Sequence, residues 1–223
     1  MAFHQLRSLR TAAFLAAFPL MVATARGQLQ WSAKTITRQA GVGDKVVEVV
    51  YPFRNAGTVP VKILSVNSRC GCTTAGLAKD DYAPGESGEI KVVFDLGDRS
   101  GYQEKPIWVT TSDRPSEAVE LKLIVDIPQW LTIEPRLVCW EVGGSAEEKC
   151  VTLTVHPAAK VEISRIQATS DKVAHRLETV PSLGYRLYLK PVGTANKFKA
   201  TFLIRAGLPG QVPRTFMVFA QVR

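Results

Sequence analysis

From Gln28 onward the chain alternates apolar and polar residues in short runs, with almost no helical repeat. Val46-Val47-Glu48-Val49-Val50-Tyr51, Val61-Lys62-Ile63-Leu64-Ser65-Val66, Glu89 to Phe94, Ile107 to Thr111 and Val119 to Val125 are rich in β-branched and aromatic residues. Such side chains pack well on a pleated, half-buried surface, so each run is expected to be a strand. Asn55-Ala56-Gly57 and Pro84-Gly85-Glu86 lie between runs. Asn and Gly tolerate positive φ and Pro presets φ, so both tripeptides are expected to turn the chain. Strands spaced by roughly 10–15 residues with turns between them imply an all-β sandwich.

The pattern then restarts. Ile127-Pro128 interrupts pairing, because proline has no amide donor. Beyond it, Val151, Leu153 and Val155 alternate with Thr152 and Thr154. Val161-Glu162-Ile163-Ser164-Arg165-Ile166 matches Val61-Lys62-Ile63-Leu64-Ser65-Val66 at an offset of 100, and Pro52 and Pro157 are expected to end the preceding strands. The expectation is two tandem Ig-like β-sandwich domains, residues 28–127 and 128–223, each near the usual size for that fold.

Residues 1–27 read differently. Arg7 and Arg10 precede an apolar run from Ala12 to Val22, and small residues Ala23-Thr24-Ala25 follow, then Arg26-Gly27. A charged start, a short apolar run and a small-residue site make an N-terminal signal peptide, with cleavage after Ala25 or Gly27. The apolar run falls well short of the about 20 residues that span a bilayer. The mature chain is therefore expected to be exported to the periplasm or cell envelope, with no transmembrane segment.

Charge changes the picture once it is located. The sequence carries 28 Lys+Arg against 20 Asp+Glu, net +8. Removing residues 1–27 takes away Arg7, Arg10 and Arg26. Residues 28–127 hold 12 basic and 13 acidic residues, while 128–223 hold 13 and 7, so the excess sits in the second domain. There, Arg186, Tyr188 and Lys190 share one face of a run, and Lys197, Lys199 and Arg205 share one face of the next. If the two runs pair across the turn Gly193–Asn196, a basic, partly aromatic sheet face results. Export argues against a nucleic-acid partner; an envelope protein or an anionic envelope polymer is the expected one.

The four cysteines form two unlike pairs. Cys139 and Cys150 flank Gly143-Gly144-Ser145, a hairpin signal. A two-residue turn at Gly144-Ser145 sets 139 opposite 150 with both sulfurs on one face, and a cross-strand disulfide is expected in an oxidising compartment. Cys70-Gly71-Cys72-Thr73 directly follows a strand. Gly71 is expected to let the backbone turn sharply. Three readings stand: a local structural motif, soft-metal binding by Cys70 and Cys72 with copper or zinc, or thiol–disulfide exchange. Further soft ligands are scarce, with His156, His175 and Met217 the candidates in the mature chain. Neither a nucleophile elbow nor a phosphate loop occurs, so no enzyme is expected and no catalytic residue is assigned. Trp31, Trp108, Trp130 and Trp140 are expected in cores or at the domain junction.

Phe53-Arg54-Asn55-Ala56-Gly57, Val61 to Val66, Cys70-Gly71-Cys72-Thr73, Pro84-Gly85-Glu86-Ser87-Gly88, Phe94-Asp95 and Arg99-Ser100-Gly101 occur in that order. Together they resemble an exported bacterial family of unknown function with a Cys-Gly-Cys-Thr signature, related to Ig-like domains of the Hydin and major-sperm-protein type. The resemblance covers about Glu48 to Thr111 and implies a sandwich of seven or eight strands in the bacterial envelope, with no established activity. The second domain lacks the signature, having Gln167-Ala168-Thr169-Ser170 in its place. The sequence thus points to a non-enzymatic exported binding or structural module; the alternative is a metal or thiol-redox protein acting through Cys70 and Cys72.

Overall fold

The computed structural model describes residues 27–223. The expected signal segment, apart from Gly27, lies outside them. The first half holds β1 (Leu29–Trp31), β2 (Thr35–Gln39), β3 (Val46–Asn55), β4 (Val61–Ser68), β5 (Thr73–Leu77), β6 (Asp81–Tyr82), β7 (Ser87–Asp95), β8 (Gly101–Thr111) and β9 (Arg114–Ile127). They form two sheets, in the orders β1-β3-β7-β5 and β2-β9-β8-β4-β6. In β3 exposed and buried positions alternate without a break over ten residues. Val47, Val49, Tyr51 and Phe53 point inward, as a period of two requires. They meet Ile90, Val92 and Phe94 of β7 and Leu121, Leu123 and Val125 of β9 in one core. Each large side chain removed from water there contributes about 1.5–3 kcal/mol.

Two turns differ from expectation. Pro52 does not end β3, which runs on to Asn55. Its ring faces out, and its missing N–H falls where β1 has stopped: beyond Trp31, Ser32 N–H donates to the Pro52 carbonyl at 3.0 Å. Nor do Asn55 and Gly57 take positive φ. Asn55 is fully buried and works through its amide. Its Nδ2 donates to the Val59 and Tyr82 carbonyls at 2.9 and 3.0 Å, and its Oδ1 accepts from Gly57 N–H at 3.0 Å. Gly85 does take φ +79°, as expected of its turn.

The second half holds β10 (Leu131–Glu134), β11 (Leu137–Trp140), β12 (Lys149–Val155), β13 (Glu162–Ala168), β14 (Val173–Val180), β15 (Gly184–Pro191), β16 (Phe198–Gly207) and β17 (Arg214–Val222). Its sheets run β10-β12-β15-β14 and β11-β17-β16-β13. Strand for strand this repeats the first half, with β6 as the addition. In each copy the first strand is split: β1 and β10 open one sheet, while β2 and β11 cross over and pair in parallel with the last strands, β9 and β17. Even a local irregularity repeats. The β4–β8 register shifts between Ile63 and Ser65, and the β13–β16 register shifts between Ile163 and Arg165. One extra residue, Leu64 or Ser164, bulges at the same place 100 residues apart. The described residues are all-β, two tandem Ig-like sandwiches with separate cores.

Candidate functional site

The Cys-Gly-Cys loop joins β4 to β5. Ser68 closes it: its hydroxyl donates to the Thr73 carbonyl at 2.6 Å and to the Cys70 carbonyl at 3.1 Å. Thr73 N–H returns to the Cys70 carbonyl at 3.1 Å, and Asp95 N–H donates to the Cys72 carbonyl at 2.8 Å, tying the loop to β7. Inside it the two sulfurs are bonded to each other, with Cα atoms 5.1 Å apart. Cys72 N–H donates to Cys70 Sγ at 3.2 Å. Cys72 packs against the first core, and both cysteines are half-buried. Gly71 is not what makes the turn: its φ is not positive, and a Cβ there would meet nothing within 4 Å. Arg69, just before Cys70, lies over the Trp108 ring, 4.8 Å from its centroid. Trp108 is therefore on the outer face of its sheet, unlike Trp130 and Trp140, which are buried as expected.

With the sulfurs joined, neither Cys70 nor Cys72 is a thiolate in this state. Among the described residues no group of three or more His, Cys, Asp or Glu gathers that would hold a metal ion.

The second cysteine pair corrects the sequence reading. Cys139 and Cys150 are free thiols. Their strands do not form a hairpin, because the split first strand places β11 in one sheet and β12 in the other. Val138 and Trp140 point into the core from β11, and Val151 and Leu153 from β12, so Cys139 and Cys150 face outward on opposite sheets. Gly143, at φ +72°, and Gly144 carry the chain between the sheets, and Gly143 N–H donates to the Thr194 carbonyl at 2.9 Å. Cys139 Sγ accepts from Gln221 Nε2 at 3.3 Å.

The basic face is likewise divided. β15, with Arg186, Tyr188 and Lys190, pairs with β12 and β14; β16, with Lys199 and Arg205, pairs with β13 and β17. Lys197 falls just before β16. The two rows thus occupy opposite outer faces. The β15 row is also interleaved with acid. Arg176 stacks on Tyr188 at 3.6 Å and bonds Glu148 at 2.8 Å, which holds the Glu148 carboxyl below its ordinary range. Glu178 stands opposite Arg186.

What sequence reasoning missed lies at the junction of the two sandwiches. A cleft of about 650 Å³ opens between them. Trp130 and Phe216, stacked edge to face at 5.3 Å, line it from the second sandwich, and Leu96 and Ile127 from the first. Clips cross its base: Arg214 Nε pairs with Asp98 at 2.6 Å, Arg214 Nη2 donates to the Gly97 carbonyl at 2.8 Å, and Gln211 Nε2 donates to the Gly43 carbonyl at 2.8 Å. The acids on the wall are engaged. Asp44 accepts from Gly41 N–H at 2.6 Å, and Asp95 from Gly97 N–H at 2.9 Å. Among the described residues no carboxylate pairs with the Lys45 or Arg136 side chains, which also line the cleft. Its wall comes from four chain segments, and the signal available beforehand was the clustering of Gly and Asp at 41–46 and 95–100.

Residues 29–127 match the model of a family described as a protein of unknown function, DUF1573. That agrees with an Ig-like family of unknown function over the first sandwich. No curated protein matches the chain. Among solved structures, similarity extends to a protein of unknown function from Porphyromonas gingivalis W83, at 12% identity and TM-score 0.36, covering 87% of this chain and 99% of that one. The YadV chaperone is 13% identical at TM-score 0.37, covering 85% and 99%. The ASH/PapD-like domain of human CEP192 is 14% identical at TM-score 0.37, covering 58% and 97%.

Proposed function

We propose that this protein is exported and acts in the cell envelope as a binding module, taking an anionic group of an envelope protein or polymer in the cleft between its sandwiches. The cleft is the observation that carries the reading. Ligand sites favour domain junctions that combine an apolar wall with a few placed polar groups. Trp130 and Phe216 supply the wall, and Lys45, Arg99, Arg136 and Arg214 stand there against Asp44, Asp95 and Asp98; among the described residues no carboxylate pairs directly with Lys45 or Arg136. Export is supported by the signal-like segment and by the Cys70–Cys72 disulfide, a bond that persists in oxidising compartments.

The test is binding of the mature chain to envelope fractions across a salt series. The double variant Lys45→Glu, Arg136→Glu is expected to weaken binding about tenfold or more and to flatten its salt dependence. Unchanged binding would remove the cleft from consideration. Cell fractionation with N-terminal sequencing checks export: a mature chain is expected to begin at Arg26 or Gln28, and an unprocessed cytoplasmic chain would contradict it.

A further inference from the structure

We propose that Cys70 and Cys72 are a thiol–disulfide exchange couple acting on protein dithiols and disulfides, with Cys70 as the attacking sulfur and Cys72 as the resolving one. The molecule's own second copy supplies the comparison. One hundred residues on, the loop between β13 and β14 repeats one contact of this loop without a disulfide: Lys172 N–H donates to Ser170 Oγ at 3.2 Å, where Cys72 N–H donates to Cys70 Sγ at 3.2 Å. The following strands start in step, β5 at Thr73 and β14 at Val173, and both residues are buried. Asp171 stands where Gly71 does. A serine hydroxyl thus takes the place of Cys70 Sγ in that contact, and the strand that follows begins in step without a covalent bond. What the bond adds is chemistry.

The surroundings suit that chemistry. An N–H aimed at Cys70 Sγ stabilises negative charge on that sulfur once the bond opens, as a donor at an oxyanion does. Arg69, held over Trp108 and adjacent to Cys70 in the chain, adds a cation beside the loop. Cys72 is backed by the core, which suits the sulfur that stays and resolves.

In the reduced pair, the Cys70 thiolate attacks one sulfur of a partner protein's disulfide; that bond breaks, and the other partner sulfur leaves as a thiolate. Cys72, having given up its proton to solvent, attacks Cys70 Sγ in the mixed disulfide. It expels the second partner thiolate and re-forms Cys70–Cys72. Two electrons pass from the pair to the partner, whose thiolates take up the two protons released. In reverse, a partner dithiol reduces the pair. This couple stands independently of the cleft.

The test uses the mature chain with Cys139→Ser and Cys150→Ser, so that no other thiol reports. With 5,5′-dithiobis(2-nitrobenzoate) at neutral pH, the added variant C72S, which leaves Cys70, is expected to react about tenfold or more faster than C70S, which leaves Cys72. Equal rates, or the reverse order, would overturn the assignment. With both cysteines present, glutathione buffers are expected to open the bond while circular dichroism stays native; opening that occurs only as the fold melts would mark a purely structural bond. C70S copies the Ser170 turn and is expected to fold, which keeps the comparison clean.

Discussion

Tyr51 shows how a single side chain is placed by pattern and taxed by chemistry. Its position in the β3 alternation sends it fully into the first core, yet among the described residues its hydroxyl has no hydrogen-bond partner. Burial pushes its pKa up to about 12, with Arg38 pulling slightly the other way. A buried hydroxyl left unbonded costs about 1–3 kcal/mol, so Tyr51→Phe is expected to leave stability unchanged or raise it by about 1 kcal/mol in a denaturant titration. The sign of the pH effect follows from the raised value. The neutral phenol is favoured by folding, so its contribution is whole below pH about 10 and is lost as pH rises toward 12. The variant is expected to lose that part of the alkaline destabilisation. Asn55 is the opposite case. Its amide satisfies two carbonyls and a backbone N–H in a buried corner, and Asn55→Ala is expected to cost about 2–4 kcal/mol by the same measurement. The sequence marked Asn55 as a turn residue, but which of its talents the turn uses depends on Tyr82, 27 residues away.

At the scale of strands, most of the architecture was legible, because inward positions at a period of two leave a plain trace in β3, β7, β9 and β12. The duplication was legible too, in Val61–Val66 against Val161–Ile166. What the pattern hides is partnership. Val138 and Trp140 alternate with Cys139 whether β11 pairs with β12 or with β17, so the sequence could not tell a hairpin from a crossing. The glycines at 143 and 144 serve either. The same ambiguity joined β15 to β16 into one basic face, when each belongs to a different sheet. Two free thiols on opposite faces are the outcome, and an alkylating reagent is expected to label both Cys139 and Cys150 without reductant while Cys70 and Cys72 stay unlabelled, as mass spectrometry would read. The repeated bulge gives a sharper check on the strands. Leu64 is half exposed, so Leu64→Ala is expected to change stability by less than about 0.5 kcal/mol. Deleting Leu64 is expected to cost several-fold more, because closing the bulge shifts the register and turns Ile63 or Val66 away from the core.

At the scale of the molecule, the two sandwiches are coupled by a handful of groups from distant segments, which no local pattern displays. Arg214 is central: it reaches Asp98 and Gly97 and lies over the Trp130 ring at 5.6 Å. Asp98 is largely exposed, so its ion pair with Arg214 contributes little alone, and the coupling rests on the cluster. Arg214→Ala is expected to leave each core intact but separate their melting, so that calorimetry resolves two transitions where the parent shows closer coupling. The split first strand bears on the molecule in another way. Because β2 runs parallel to β9, and β11 to β17, each sandwich has its two chain ends at opposite poles. Tension along the chain then pulls the paired strands lengthwise, straining five ladder positions in the first sandwich and four in the second together rather than peeling them one by one. A molecule tethered at both ends would behave as a pair of mechanical fuses. Stretched singly in an optical trap, it is expected to yield in two separate events, each releasing about 30 nm of chain at ~3.3–3.6 Å per residue.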